Sequence, residues 1–233
     1  CMQDRDGNYA PGITIIIRRL NPAAPAAQPQ SCVTVLPDAT TGRPFVGSLD
    51  QKNTSWRVGL DWKPMRGTLL YGTVSKGFKS GSFPNINATT FASFQPVTQE
   101  SVLAYELGFK TDLGSRAVQL NGAIFYYDYR DKQFRGRIVD PLGVFGAVEA
   151  LVNVPKSRVK GAELSGTFQP IEGLRLNAGV TYLDTKVTED FFNFNPFGAR
   201  ANFKGEAFPF TPKWSLQGDA NYEWPVSDTM NAF

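Results

Sequence analysis

The sequence contains no histidine and only two cysteines, Cys1 and Cys32, among its 233 residues. Histidine is the usual general base of enzymes and the commonest transition-metal ligand, so histidine-activated nucleophiles and histidine-bound zinc are excluded within this chain. Two cysteines cannot supply a four-thiolate zinc or iron–sulfur site. We therefore expect no cofactor and no metal site.

Long apolar runs and an excess of one charge are also missing. The longest strongly apolar stretch covers residues 13–17, whereas a transmembrane helix needs about 20 apolar residues. Lys and Arg number 24 against 21 Asp and Glu, which gives a formal net charge of +3. A nucleic-acid partner is not expected, because such a site concentrates basic residues on one face. The chain opens at a cysteine without an initiator methionine, so we expect it to be part of a longer protein.

Apolar and polar residues alternate with a period of two from residue 55 onward. Such alternation is typical of β-strands with one apolar face. The segments with a clear phase are residues 55–63, 103–110, 117–127, 162–168, 174–183 and 214–224, and residues 68–78 are a strand by composition with an ambiguous phase. Helical periodicity is hard to find, so the sequence predicts an all-β chain folded as an antiparallel meander.

The connections between these strands alternate between short and long. Tight turns rich in Pro, Gly, Asp and Ser are predicted at residues 64–67, 112–115, 170–173 and 225–228, and long loops at residues 79–100, 132–155 and 185–211. Every second connection of an antiparallel meander lies at the same end. The tight turns therefore share one rim and the long loops share the other, as in transmembrane β-barrels.

The two faces of the predicted strands differ in charge. The apolar faces contain no Asp, Glu, Lys or Arg, whereas the opposite faces carry Arg57, Asp61, Lys63, Glu106, Lys110, Glu163, Arg175, Asp219 and Glu223. A charge on the lipid face of a membrane barrel costs about 2 to 4 kcal/mol near the midplane, which accounts for this difference. The interior of a soluble barrel would exclude charges as well, so both kinds of barrel fit this pattern.

The spacing of aromatic residues favours the membrane barrel. Trp214 and Trp224 are ten residues apart. That is about 33 Å along a strand and about 23 Å of height at a tilt of about 45°, close to the roughly 25 Å apolar band between two aromatic girdles. The residues expected to point outward to lipid include Trp56, Leu107, Ile124, Val180 and Leu216.

The segment SKGFKSGSF at residues 75–83 is similar to the strand-into-loop segment of TonB-dependent outer-membrane receptors. Further similar segments, in the same order, are AYELGFK (104–110), LNGAIFYYDY (120–129), KGAEL (160–164), GLRLNAGVTY (173–182) and PFTPKWSL (209–216). The resemblance spans about residues 54–224, and it identifies the chain as the C-terminal part of such a β-barrel.

The resemblance implies a barrel of about 22 strands that is closed inside by a plug domain. It also implies import of a siderophore, vitamin or glycan across the bacterial outer membrane with energy relayed by TonB, and hence a protein that is not an enzyme. No plug domain and no TonB box are recognisable in the sequence. About eight strands are expected, so they should form an open arc with two unpaired edges. A passive diffusion channel and a soluble β-barrel that binds a ligand inside are the alternatives.

Residues 1–53 are expected to form an extracellular loop/strand segment, and residues 54–233 the barrel strands. Cys1 and Cys32 flank a stretch rich in Pro and Ala within that first segment. We expect them to form a disulfide, because the periplasm oxidises such thiols and closing the loop stabilises the fold by about 3 to 4 kcal/mol.

Ligand-binding candidates lie in the long loops and at the start of a strand. Phe134, Arg135 and Arg137 form a basic–aromatic cluster in the loop 132–155, suited to an anionic or iron-chelating ligand, with a solvated loop or contact with lipopolysaccharide phosphates as the alternative. Lys156, Arg158 and Lys160 alternate and are expected to line the lumen wall, where charges pair with one another, with the plug or with ligand. The loop aromatics that could stack on a ligand or pack on one another are Phe91, Phe94, Phe191, Phe192, Phe194 and Phe197. The expected partners are outer-membrane lipid, lipopolysaccharide, the TonB system and a small-molecule or glycan ligand.

Overall fold

The computed structural model describes residues 8–86, 88–113, 117–227 and 230–232. Its elements are the helix α1 (Ala10–Leu20), a one-turn 3₁₀ helix (Phe91–Phe94) and the strands β1 (Trp56–Met65), β2 (Thr68–Lys79), β3 (Glu100–Leu113), β4 (Val118–Val139), β5 (Ala147–Ile171), β6 (Leu174–Val187), β7 (Phe192–Phe194), β8 (Arg200–Asn202), β9 (Trp214–Tyr222), β10 (Trp224–Ser227) and β11 (Met230–Ala232). Each predicted strand is therefore present.

The main sheet is an antiparallel meander of seven strands in the order β1-β2-β3-β4-β5-β6-β9. The pairs β7–β8 and β10–β11 form separate two-stranded hairpins. Among the described residues, no hydrogen bonding joins β1 to β9, so the sheet is an open arc with two free edges. This confirms the prediction of a partial barrel, with seven strands in the arc where about eight were expected.

The register places the apolar residues of neighbouring strands in common rows on one face, which we call the outer face. One such row contains Leu60, Gly72, Leu107, Ile124, Ala162, Tyr182 and Trp214. Leu107, Ile124 and Leu216 are 61%, 58% and 80% exposed, and Val180 lies between Leu164 and Leu216 on the same face. The outward direction predicted for these residues is confirmed. The soluble alternative requires these side chains to line a closed, packed interior. They do not, because they lie on the exposed outer face.

Tight turns connect the strands at one rim of the sheet. Gly67 and Gly173 adopt φ values of 78° and 80°, which side chains disfavour. A Cβ at Gly67 would also lie 2.9 Å from the carbonyl oxygen of Asp112. The predicted turn at 112–115 lies partly outside the described residues. The predicted turn at 225–228 is occupied by β10 up to Ser227, and residue 228 is outside the described residues.

The connection expected at residues 132–155 is not a loop. β4 continues to Val139 and β5 begins at Ala147, so only residues 140–146 form the tip of a long hairpin. The register between the two strands runs without a shift from Val118 to Val139. Apolar and β-branched residues such as Ile138 and Val148 continue the strands beyond the membrane band. The sequence prediction was wrong because no phased alternation was recognised between residues 127 and 162, although both strands continue there.

The helix α1 is a second difference from the sequence prediction. Pro11 lies in its first turn, and Arg18 and Arg19 lie in its last turn, where basic side chains complement the helix dipole. Ile13 and Ile17 are buried. The helix was not predicted because the run of β-branched residues at 13–17 hides the helical spacing of the buried positions. No helix in the described ranges is long and apolar enough to span a membrane.

The segment after α1 binds the loop between β2 and β3. Val35 N donates to Thr89 O at 2.7 Å, Phe91 N donates to Val35 O at 2.8 Å, and the Thr34 hydroxyl donates to Ala88 O at 2.9 Å. The cluster around α1 and Val33 also contacts the tip of the β4–β5 hairpin through Leu142 and Phe145. The N-terminal residues and two long connections therefore meet at the loop rim of the sheet.

Candidate functional site

The alternation of faces reverses where β4 and β5 leave the apolar band. Asp131 has φ 52° and lies between the register pairs Arg130↔Lys156 and Lys132↔Val154. We call the face opposite the outer face the inner face. Below Asp131, Tyr129 lies on this inner face. Above Asp131, Lys132 Nζ lies 4.0 Å from the centroid of the Tyr129 ring. Lys132 is therefore on the inner face although its sequence parity matches that of Arg130.

The reversal turns Phe134 toward a cavity of about 410 Å³ at the loop rim, whose other phenylalanines come from the connection between β6 and β9. Its aromatic lining consists of Phe134, Phe191, Phe194, Phe203 and Phe208. The ring centroids of Phe134 and Phe208 are 5.2 Å apart, and those of Phe191 and Phe203 are 6.2 Å apart. Phe208 also packs against Val159 and Val187, which lie on the inner face. The cavity therefore opens on the inner side of the arc.

The β7–β8 hairpin forms one wall of this cavity. Asn193, which is 8% exposed, accepts hydrogen bonds through Oδ1 from Arg137 N at 3.1 Å and Phe194 N at 2.8 Å. Gly136 permits this approach, because a Cβ there would lie 2.9 Å from Asn193 Nδ2 and 2.8 Å from Val152 Cγ2. The hairpin is thus fixed to the upper part of β4 by one buried amide.

An ion pair lies beneath the phenylalanines. Lys132 Nζ is 3.3 Å from Glu100 Oε1, and Glu100 Oε2 accepts a hydrogen bond from Gln133 N at 2.9 Å. The Lys132 ammonium also lies 5.5 Å from the Phe208 ring centroid. Sequence analysis did not find this pair, because its partners are 32 residues apart and Lys132 was placed in a loop.

The hairpin base is held by exposed polar contacts. Asp190 accepts a hydrogen bond from Asn202 Nδ2 at 3.0 Å and pairs with Lys204 Nζ at 3.3 Å. These contacts, first the hydrogen bond from Asn202 and then the interactions with Lys204, hold the pKa of the Asp190 carboxyl below its ordinary value. The cavity wall is therefore connected to a carboxylate that titrates in acid.

The structure separates the members of the predicted basic–aromatic cluster. Phe134 lines the cavity. Arg135 and Arg137 also border it but are exposed, and they alternate along β4 with Phe134 and Gly136, so their side chains leave the sheet on the outer side. They lie in a strand and not in a loop. The arginines were predicted together with Phe134 because the face on which each residue lies could not be assigned in a segment interpreted as a loop.

Lys156, Arg158 and Lys160 are not on the lumen wall, and that prediction is corrected. They share the phase of Ala162 and Leu164 in β5, so they lie on the outer face above the apolar band. Arg158 Nη2 and Lys160 Nζ are each 3.4 Å from Asp184 Oδ2. The error has a physical origin, since charges are excluded from the outer face only within the hydrocarbon region and not above it.

The loop phenylalanines divide into packed and exposed residues. Phe94 is buried and stacks on Phe45 with ring centroids 6.2 Å apart, and Phe191 and Phe194 line the cavity. Phe197 is 94% exposed. Of the predicted cysteine pair, Cys32 is disulfide-bonded, but Cys1 lies outside the described residues, so the Cys1–Cys32 bridge stays a prediction.

Comparison with known proteins agrees with this architecture. The family model for the TonB dependent receptor-like β-barrel matches residues 33–231. The chain is 25% identical over 141 residues to the probable TonB-dependent siderophore receptor PiuA of Acinetobacter baumannii. The aligned region covers 58% of this chain and 18% of that protein.

Solved structures show the same fold. The crystal structure of PiuA from Acinetobacter baumannii aligns with a TM-score of 0.54 at 22% identity, over 72% of this chain and 23% of that one. The ferric yersiniabactin uptake receptor FyuA from Yersinia pestis aligns with a TM-score of 0.52 at 16% identity, over 75% of this chain and 23% of that one. The chain thus spans about a fifth of the length of these relatives. Members of the TonB-dependent receptor β-barrel family are transport receptors of the outer membrane of Gram-negative bacteria, and the family is not an enzyme family. The chain belongs to this family.

Proposed function

We propose that the protein containing this chain imports an iron-chelating siderophore across the outer membrane with energy supplied through TonB, and that the inner-face cavity contacts this ligand. The relative PiuA is described as a probable TonB-dependent siderophore receptor, which supports the ligand class. The family supports the transport role.

The observation that carries the proposal for the site is the group of phenylalanines around the cavity. A volume of about 410 Å³ is within the range of small-molecule sites, roughly 300 to 1,000 Å³. The cavity is at the loop rim and opens inward, so a ligand that enters the lumen from outside passes it. Aromatic lining favours planar aromatic or other apolar groups of the ligand. Its charged members, Glu149 and Glu206 beside Arg135 and Arg137, do not make the cavity a basic site.

Binding to the cavity is tested by Phe134→Ala in the complete receptor, purified in detergent and titrated with a panel of ferric siderophores by fluorescence quenching. Loss of one aromatic contact should weaken binding of the recognised siderophore about tenfold. The matched control is Phe197→Ala, which removes an exposed phenylalanine that does not line the cavity, and it should leave the affinity unchanged. Equal affinity of the Phe134→Ala variant and the parent would remove the cavity from the proposed site.

Energy coupling is tested separately by uptake of radioactive iron into cells. An active importer requires TonB, so uptake of the ferric siderophore should disappear in a strain without TonB while binding to the cells persists. Uptake that is independent of TonB and proportional to the external concentration would favour the passive channel. This outcome is independent of the result for Phe134.

A further inference from the structure

The outer face carries a group of cations beside and above its upper aromatic residues. These cations, which we call the basic outer patch, are Lys76, Arg130, Lys156, Arg158, Lys160 and Lys186. The register pairs Arg130 with Lys156 and Arg158 with Lys186, so the patch is continuous across β4, β5 and β6. Lys76 is on the same face, where it donates to the Ser101 hydroxyl at 3.1 Å.

The aromatic residues beside and below the patch mark the upper boundary of the apolar band. Trp56 pairs with Lys76 and Tyr126 pairs with Lys160 in the register, and the other aromatic residues of this group are Tyr105, Tyr182 and Trp214. In β6, Lys186 follows Tyr182 by four residues, which is about 13 Å along the strand and about 9 Å of height at a tilt of about 45°. In β4, Arg130 is the same number of residues above Tyr126. The patch is therefore at the level of lipid headgroups.

The cations are only partly neutralised within the protein. Asp184 is shared by Arg158 and Lys160, and Arg130 lies 3.8 Å from Glu189 and 4.0 Å from Asp128. Six cations against three anions leave a local charge of +3. Within the described ranges, Lys156 and Lys186 form no ion pair. These two ammonium groups are available to an external anion.

We propose that the basic outer patch binds phosphate groups of lipopolysaccharide in the outer leaflet. Phosphate suits this surface because ammonium and guanidinium groups form charge-assisted hydrogen bonds with its oxygens. A ligand of the lumen cannot reach the patch, since the sheet lies between them. The proposal does not depend on the imported ligand or on TonB.

The test uses the complete receptor in detergent and purified bisphosphorylated lipid A, with bound lipid counted by native mass spectrometry. Lys156→Gln/Lys186→Gln removes two positive charges without leaving a described carboxylate unpaired. Each basic residue near an anionic membrane surface contributes enough that the double variant should bind lipid A about tenfold or more weakly than the parent. The matched control, Arg135→Gln/Arg137→Gln, removes two exposed cations that lie about 30 Å along the strand above Tyr126 and out of reach of lipid A. It should bind like the parent.

A measurement on the unchanged receptor keeps the proposal testable if the double variant does not fold. The parent should bind bisphosphorylated lipid A at least about tenfold more tightly than enzymatically dephosphorylated lipid A, and added salt should reduce the difference. Equal binding of the two lipids would overturn the proposal. So would parent-like binding of bisphosphorylated lipid A by a correctly folded Lys156→Gln/Lys186→Gln receptor.

Discussion

Lys132 Nζ lies 3.3 Å from Glu100 Oε1 and 4.0 Å from the ring centroid of Tyr129. This pair joins the beginning of β3 to β4 just above Asp131, where the faces of β4 reverse. The Glu100 side chain is 11% exposed and that of Lys132 is 20% exposed. The contact lies on the inner face next to Phe134 and Phe208, two of the phenylalanines that line the cavity.

Lys132→Met should destabilise the upper part of the barrel by about 1 to 3 kcal/mol, because a mostly buried carboxylate loses its cation. The check is the urea midpoint for loss of protection of the loop region, measured by pulse proteolysis of the receptor. The double variant Lys132→Met/Glu100→Gln is the control. Its loss of unfolding free energy should be smaller than the sum of the losses in the single variants Lys132→Met and Glu100→Gln. Strictly additive losses would show that the two side chains do not stabilise each other.

Only the lower part of β4 could be predicted from the sequence. Alternation located its lower part because one face meets lipid and the other meets the lumen. Above Asp131 both faces meet water or loops, so neither must be apolar and the pattern no longer indicates a strand. Phe134 was predicted as a ligand-binding candidate and lines the cavity, but the side on which Arg135 and Arg137 lie depends on the reversal at Asp131, where φ is 52°.

The remaining parts of the site were not predictable for a related reason. Asn193 contacts the backbone of a residue 56 positions away, and Glu100 pairs with a residue 32 positions away. Neither side chain has a neighbouring motif that indicates its role. The outward position of Lys156 follows from strand parity already visible in the sequence, and it was missed because a charge was assumed to face the lumen.

Asp140→Ala should disorder the tip of the β4–β5 hairpin. Asp140 is 1% exposed and accepts hydrogen bonds from Val144 N and Phe145 N, both at 3.1 Å, as well as from the Thr90 hydroxyl at 3.3 Å. Its loss leaves partly buried backbone donors without a partner, each costing up to about 1 to 3 kcal/mol. Hydrogen exchange of residues 140–146 should accelerate strongly.

Thr90→Val is the graded comparison for that prediction. It removes the hydroxyl that donates to Asp140 and leaves the backbone hydrogen bonds of the tip intact. Exchange in residues 140–146 should therefore change much less than in Asp140→Ala. Equal acceleration in both variants would show that the contact between the two loops, and not the turn itself, orders the tip.

The β7–β8 hairpin should lose part of its order in acid. The pKa of Asp190 is held below its ordinary value of 3.8 by the hydrogen bond from Asn202 and by Lys204. A carboxyl group with a lowered folded-state pKa contributes stability above its unfolded pKa and loses that contribution as the pH falls through the folded value. The contribution of the Asp190 carboxylate should thus be constant above about pH 5 and decline below about pH 4.

That prediction is checked by hydrogen exchange of residues 192–202 as a function of pH, corrected for the intrinsic exchange rate. Asp190→Asn removes the titrating group, so its corrected protection should show a smaller dependence on pH than that of the parent in the same window. An identical pH profile for the two proteins would exclude Asp190 as the source. The group is exposed, so raising the salt concentration should reduce the effect.

Leu164→Arg and Ser165→Arg place the same charge on opposite faces of β5. Leu164 is on the outer face in the row with Val180 and Leu216. It lies midway between Lys160 at the top of the apolar band and Phe168 near the lower edge of that band. An arginine at this depth should therefore destabilise the barrel by about 2 to 4 kcal/mol. Ser165 faces inward beside Asn177 and Asp219, around a polar cavity of about 280 Å³ that can accept the guanidinium. We expect heat-modifiable migration in gels, a measure of barrel assembly, to be reduced for Leu164→Arg and preserved for Ser165→Arg. The reverse order would contradict the assignment of the two faces.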